Sequence, residues 1–457
     1  MEESNFLQRR IDLANLLPET AIVVASANEV TRSNDTEFPF HQNTHLKYLT
    51  GFREMGSLLV ITQKKDEGVK SHFFVRPKDE FSEMWQGKRL GVEATKDIFK
   101  FDYVYDISRM GELLSKLLLG HKNVACDWSE QTELTNRLLK TMTSLSGQRK
   151  SKDYKPANLI NLARAIGKLR LTKDANELNF MRHAAHATSQ GHQAAMAFSE
   201  PGKTEDQVQS YMEYIFKKNG SEDTAYTSIV AGGKNALTLH YVENNAPLNK
   251  QELLLIDAGS QFKGYASDVT RTFPIDGKFT SVQKEVYEIV LAAQKVAISM
   301  TKPGQTIPAI HKEVEKVLAR GLLDAGLLTS KKEMSRESLE DILLNKKDET
   351  IHALKTYYPH GTSHWIGLDV HDMSPYLDDD LNDIELAPGM VITVEPGLYF
   401  NKPHEQVQYK LPLQGIGIRI EDDILVTEKG PENLTASIPK SINEVEEACK
   451  KDPKDFL

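Results

Sequence analysis

A chain of 457 residues is long enough for two or three domains that each bury a core. Its 40 % hydrophobic and 26 % charged residues are those of a globular protein, and a net charge of −9, with no one-sided run of Lys and Arg, excludes non-specific nucleic-acid binding. The two distant cysteines, Cys126 and Cys449, lack metal spacing and indicate a reducing compartment. No run reaches the roughly 18 apolar residues that span a membrane. The opening "MEESNFLQRRIDLANLL" is neither a signal nor a transit peptide, so the expected location is cytoplasmic.

In chain order, "TAIVVAS" (20–26), "SLLVIT" (57–62) and "HFFVRP" (72–77) predict strands of a mostly buried sheet. "MGELLSKLLLG" (110–120) predicts an amphipathic helix ending at Gly120. The fold class is therefore α/β (α+β), with an N-terminal α/β domain over 1–170 that carries no catalytic signature of its own. Asp174 and Glu177 then form a capping-box pattern that opens a helix running to about Phe198. This puts the domain boundary near residue 170 and a second domain over 171–457.

The second domain contains a repeat. "PGKTEDQV" begins at Pro201 and "PGQTIPAI" at Pro303, each after a long helix and each opening another, with Thr204 or Thr306 as N-cap. A histidine-bearing segment follows in each half, "LTLHYVEN" and "HWIGLDVHD", both expected as strands. Next comes an apolar strand ending in acid, "LLLIDAG" and "VITVEPG". One unit used twice predicts a duplicated domain with pseudo-twofold symmetry.

The acids come in pairs. In "LLLIDAGSQFKGYASDVTRTF" a hairpin closing near Gln261–Phe262 sets Asp257 opposite Asp268. In "MVITVEPGLYF" and "GIGIRIEDDILV" Glu395 faces Glu421 in the same way. An acid at a strand end is ordinarily the start of a loop. Two like-charged pairs beside buried strands are costly, however, unless protons or cations sit between them. Four carboxylates in one pocket call for about two divalent cations.

Near the C-terminal third, "YYPHGTSHWIGLDVHD" crowds His360, His364 and His371 among residues that oppose a helix. His360 and His364 share one face of an extended chain, and His371 joins them if Gly367 supplies a bend. His240 occupies the matching segment of the first half. Three such histidines beside four acids point to one metal ligand and two groups handling substrate charge and protons. Oxygen-rich coordination with one imidazole suits Mn(II), with Co, Zn or Fe the other ions of that chemistry. Two such ions about 3.5–4 Å apart clamp a water and lower its pKa toward ~7, which implies hydrolysis of an amide or ester.

These residues resemble the pita-bread metallopeptidases, the superfamily of methionine aminopeptidase, prolidase, aminopeptidase P and creatinase. The wording "HGTSHWIGLDVHD", "VITVEPGLY" and "GIGIRIEDD" is similar to the aminopeptidase P branch, as are "FHQNTHLKYLTGF" and "MWQGKRLG" in the first half. The resemblance covers nearly the whole chain and implies a duplicated pita-bread catalytic domain. It implies Asp257, Asp268, His364, Glu395 and Glu421 as metal ligands, with Asp268 and Glu421 bridging two metals and Glu395 also the general base. His240, His360 and His371 would orient the scissile carbonyl, pass protons and hold the residue after the cut. Arg419 matches a basic residue beside the acids, and Tyr226 a tyrosine near the metals. Trp85 resembles a tryptophan that in relatives reaches a neighbouring subunit's site, which implies a homo-oligomer, dimer or tetramer.

The implied activity is removal of an N-terminal residue from peptides with proline second, dependent on two divalent metal ions per subunit, Mn(II) first among them. The expected partners are such peptides, with no nucleic acid and no membrane. A prolidase restricted to dipeptides is the alternative. A phosphoester hydrolase and a non-catalytic binding module on the same fold are more distant. The stretch 330–350 is expected as a polar insertion without chemistry of its own.

Overall fold

The computed structural model describes residues 3–64, 66–148, 150–332, 335–344 and 353–457. They form two compact units, one ending at Arg170 and the other starting at Leu171. In the first unit the strand Thr20–Ala25 pairs antiparallel with Leu58–Lys64 and parallel with Asn123–Cys126. Gly68–Val75 and Tyr103–Asp106 extend one side and Asn158–Asn161 the other, giving a mixed sheet of six strands. Its central strands read as continuous apolar runs because both of their faces are buried. The helices Met110–Leu118 and Thr132–Ser146 cover one face through Leu114, Leu118, Leu138 and Leu145.

The second unit opens with the helix Ala175–Phe198. Asp174 accepts the N–H groups of Asn176 and Glu177, and Glu177 reaches back to the Asp174 N–H. The duplication is visible in the backbone. Gly202 donates to Leu248 and Leu248 to Lys203; Gly304 donates to Leu386 and Leu386 to Gln305, with all four bonds at 2.7–3.0 Å. Thr204 and Thr306 cap the helices Glu205–Lys218 and Ile307–Asp324. The two halves meet at their acid-bearing strands, where Glu421 N–H donates to Thr270 O and Arg419 N–H to Thr272 Oγ1.

The structure corrects three expectations about this unit. The first concerns register. The hairpin closes at Lys263–Gly264, both with positive φ (52° and 89°), rather than at Gln261–Phe262. In the observed register Asp257 faces Thr270, two residues beyond the expected partner Asp268. Because a shift of two preserves the side-chain face, Asp257 and Asp268 remain on one side as diagonal neighbours. Gly259 then lies against Ser267, whose carbonyl oxygen is 1.6 Å from where a Cβ would stand, so only glycine fits. In the other half the ladder pairs Val394 with Asp422, and the next pair beyond it is Gly397 with Arg419. Glu395 and Glu421 fall opposite each other between these two ladders.

The second correction concerns the histidine segments. "LTLHYVEN" follows a 3-10 turn, Gly233–Leu237, and forms no strand. Buried Glu205 accounts for this. It accepts the N–H groups of Gly232 and Ala246, the Asn235 amide and the Tyr241 hydroxyl, at 2.7–2.9 Å, and so takes up polar groups that a ladder would use. In "HWIGLDVHD" the pairing is a single bridge from Trp365 to Ile392.

The third correction concerns the polar stretch. Leu328–Ser330 pairs with Val407–Tyr409, and the helix Arg336–Leu344 buries Leu339 and Leu343 in the main core. The segment 345–350 lies outside the described residues, as do 333 and 334.

Candidate active site

Asp257, Asp268, Glu395 and Glu421 line one cavity of about 80 Å³ together with His240, His360, His364, His371, Arg419 and Leu239. The strand ends of both halves deliver the acids, and the loop after the 3-10 turn Ala353–Thr356 delivers three of the histidines. The bend at Gly367, where its N–H donates to Asp369 O, turns His371 back until its ring is 4.3 Å from that of His364. Tyr226 stands behind the acids, its hydroxyl 2.5 Å from Asp257 and also bonded to Asp268. Trp85 belongs to the first unit, where it is 75 % exposed on the short helix Glu80–Gln86.

Four acids at this spacing, two buried and two half-buried, cannot all ionise alone. Burial first, then Asp268, Glu395 and Asp257, push Glu421 well above the usual carboxylate range. Burial pushes Glu395 up to about 7 against the opposing pull of His364 and Arg419. It also raises Asp257, although Arg419 Nη2 lies 2.5 Å away. Asp268 goes the other way: burial is outweighed by the His364 hydrogen bond, which holds it low. For His364 burial is likewise outweighed by Asp268 and Glu395, which lift it to about 9. His360, buried and beside Arg419, falls to about 3 and is neutral, and burial lowers His371 as well.

The donor set fits divalent cations. Asp268, His364 and Glu421 present ligand atoms all within 4.8 Å of one another. His364 Nδ1 is 3.1 Å from the Trp365 carbonyl, which leaves Nε2 facing Asp268 at 3.3 Å and Glu395 at 3.6 Å. A proton at Nε2 stands where a cation would. The candidate donors are carboxylate oxygens and one imidazole nitrogen, the choice of a hard or borderline divalent ion.

A consequence can be measured. In the cation-free protein Glu395, Glu421, Asp257 and His364 bind protons more tightly folded than unfolded. Their contribution to stability is present at low pH and is lost as pH rises from the carboxylate range through about 7 and about 9. Chelator-treated protein should therefore unfold at lower temperature at pH 8 than at pH 5.5, and a divalent cation should reverse the order. Calorimetric titration with Mn(II) near pH 6 should release protons, seen as a heat that changes with buffer. A buffer-independent heat would contradict this account.

Several contributors escaped the sequence reading. Tyr399 receives Arg419 Nη1 at 2.7 Å and lies 2.9 Å from His360 Nε2, so its own O–H is left to donate to that nitrogen. His360 Nδ1–H then donates to Gly361 O at 2.7 Å. Thr270 receives Arg419 Nε at 3.0 Å and donates to Glu421 at 2.6 Å. Carrying the 397–419 pairing one step along its face would have revealed Tyr399, which stands diagonal to Arg419.

Two carboxylate pairs and an oriented imidazole, closed in a duplicated fold, define a metal-dependent hydrolase. Comparison with known proteins narrows the class. Residues 179–428 match metallopeptidase family M24, and residues 6–125 match the aminopeptidase P N-terminal domain. The Xaa-Pro aminopeptidase of Haemophilus influenzae is 37 % identical over 455 residues, covering 98 % of this chain and 97 % of that one. The Xaa-Pro aminopeptidase of Escherichia coli K12 is 36 % identical over 452 residues, with the same coverage. The structure of proline aminopeptidase P II from Yersinia pestis superposes with a TM-score of 0.89 at 35 % identity, covering 98 % of this chain and 99 % of that one.

The chain belongs to metallopeptidase family M24, in its aminopeptidase P branch. It is a metal-dependent aminopeptidase with a pita-bread catalytic domain, and its family implies divalent metal ions. Among the described residues no helix is long and apolar enough to cross a membrane.

Proposed function

We propose that this chain hydrolyses the bond between a peptide's N-terminal residue and a proline in second position. Asp257, Asp268, His364, Glu395 and Glu421 hold two divalent ions, Mn(II) by preference. The observation that carries this reading is the approach of one acid from each pair, Asp268 and Glu395, to His364 Nε2 within one cavity that Asp257, Glu421 and three further histidines also line. Asp268 and Glu421 would serve both ions, and Asp257, His364 and Glu395 one each. When bound, the ions supply Lewis acidity toward the scissile carbonyl and toward water.

The residues of the chain supply the rest. Glu395, whose carboxylate faces the cavity beside His364, is the general base. A bond to proline has no N–H, so its nitrogen must be protonated to leave as an amine. His360 and His371, both held neutral, and His240 in the same cavity are the groups that orient the carbonyl, pass that proton and hold the proline side. Arg419 is locked by Asp257, Tyr399 and Thr270, which keeps its charge at the wall of the cavity. Tyr226 tethers Asp257 to Asp268 from behind.

The assembly proposed is a homo-oligomer, dimer or tetramer, in which Trp85 serves a neighbouring copy. Phe81, Met84 and Trp85 are 69–75 % exposed on one helix that buries none of its residues, a state that suits a covering partner. The unpaired cysteines support a cytoplasmic setting.

The test is release of alanine from Ala-Pro-Ala beside Ala-Pro, after chelator dialysis, with and without Mn(II). Mn-restored cleavage of the tripeptide, with little of the dipeptide, is the expected result. Preference for the dipeptide would instead make the enzyme a prolidase, and no restoration by Mn(II) would remove manganese from the reading.

A further inference from the structure

The helix Ile307–Asp324 brings a fifth histidine to the rear of the histidine loop. His311 Nδ1 lies 2.8 Å from Thr362 Oγ1, and the Tyr358 hydroxyl lies 2.7 Å from the same oxygen. Thr362 and Tyr358 are fully buried. Thr362 stands midway between His360 and His364, and its carbonyl accepts the Glu395 N–H at 2.8 Å. One residue is thereby linked, through chain or hydrogen bond, to three groups that face the cavity. On its other side His311 Nε2 lies 3.2 Å from Glu315 and 3.1 Å from Lys355, and those two are 3.2 Å apart.

The hydrogen-bond inventory works in either tautomer. Lys355 only donates and ionised Glu315 only accepts. If Nε2 accepts from Lys355, Nδ1–H donates to Thr362, and the Thr362 hydroxyl donates to Tyr358. If Nε2–H donates to Glu315, Nδ1 accepts the Thr362 hydroxyl, and Tyr358 donates to Thr362. In both arrangements the buried threonine oxygen keeps two partners. Without His311 it keeps one, and the loop backbone at 360–364 loses its outer anchor.

We propose that His311 is a positioning residue: through Thr362 it fixes the segment that carries His360 and His364 and receives the backbone of Glu395. This rests on the reading that those three groups serve the substrate and the metals. Outer hydrogen bonds of this kind orient the groups that touch a metal. His311 and its partners Glu315 and Lys355 are not among the residues that line the cavity.

An asparagine at 311 places an amide where Nδ1 was; a glutamine places it near Nε2. His311→Gln should lower kcat on Ala-Pro-Ala about 10-fold with KM within about twofold, while His311→Asn should stay within about threefold of the parent. Mn(II) affinity, read by calorimetry without turnover, should weaken about 10-fold in His311→Gln and hold in His311→Asn. On a Thr362→Val background, His311→Gln should add no further loss, because its route is already cut. Equal kcat and equal Mn(II) affinity for the Gln and Asn variants, or fully additive losses in the double variant, would overturn the proposal. A parent protein that binds Mn(II) but leaves the tripeptide intact would instead sink the Xaa-Pro reading, with the Mn(II) affinities still deciding the role of His311.

Discussion

Glu395→Gln is expected to lower kcat on an Xaa-Pro tripeptide by roughly 10²–10⁴-fold while the protein stays folded, the range over which a positioned general base acts. Glutamine keeps the volume and the backbone bond to Thr362 O. It cannot take up a proton, and it brings no charge to a cation. In the cation-free state Glu395 sits near pKa 7, so neutral glutamine replaces a group already part-protonated at pH 7. Unfolding of the cation-free variant should therefore match the parent closely at pH 6. Mn(II) should stabilise it less, because one of the five proposed ligands is gone. Measuring kcat at saturating Mn(II) separates the two consequences: a deficit that persists at saturation belongs to the proton, and one that vanishes belongs to metal binding. A variant within tenfold of the parent at saturation would remove Glu395 as base.

How far the sequence carried this site depends on which physical signal each residue leaves. Buried strands such as Thr20–Ala25 and Leu253–Asp257 announce themselves as continuous apolar runs, and Asp174 with Glu177 announces a helix start. The face shared by Asp257 and Asp268 was legible from parity, but their register was not. Gly264 marks a turn in the sequence, whereas Lys263 at φ 52° does not look like the other half of one. Glu205 follows an N-cap threonine and reads as an acid favouring the helix N-terminus. Its four hydrogen bonds to the His240 loop come from residues 27 to 41 positions away. His311 and Thr362 are 51 residues apart and leave no motif at all. The roles given to individual ligands came from resemblance rather than from pattern, since parity places acids together without saying which of them serves which ion.

The acid after Glu421 gives the largest expected effect on stability. Arg271→Met should cost about 3–5 kcal/mol of unfolding free energy in the second unit, as removal of one partner of a buried ion pair does. Both side chains are fully buried, and Arg271 Nη2 lies 2.6 Å from Asp422. The same guanidinium donates to the carbonyls of Thr270, Glu421, Ile438 and Pro439, so it ties the acid strands of the two halves to the segment after them. Methionine keeps much of the stem's packing and removes only the charge and the donors. Asp422 would retain Lys440 at 2.6 Å, Gln294 at 2.9 Å and Thr435 at 2.8 Å, which keeps the cost from exceeding the range. The pH dependence gives an independent check. Burial opposes ionisation of Asp422, but Arg271 and then Lys440 hold its carboxyl well below the usual range. A depressed carboxylate contributes stability above its unfolded pKa of about 3.9, and that contribution is lost as pH falls below it. The denaturant midpoint of the cation-free protein should therefore fall further at pH 7 than at pH 3 in Arg271→Met, relative to the parent. Because Arg271 also holds the Thr270 and Glu421 carbonyls beside the cavity, the variant should bind Mn(II) more weakly. A midpoint shift worth less than about 1 kcal/mol would mean that the pair contributes no more than an exposed one.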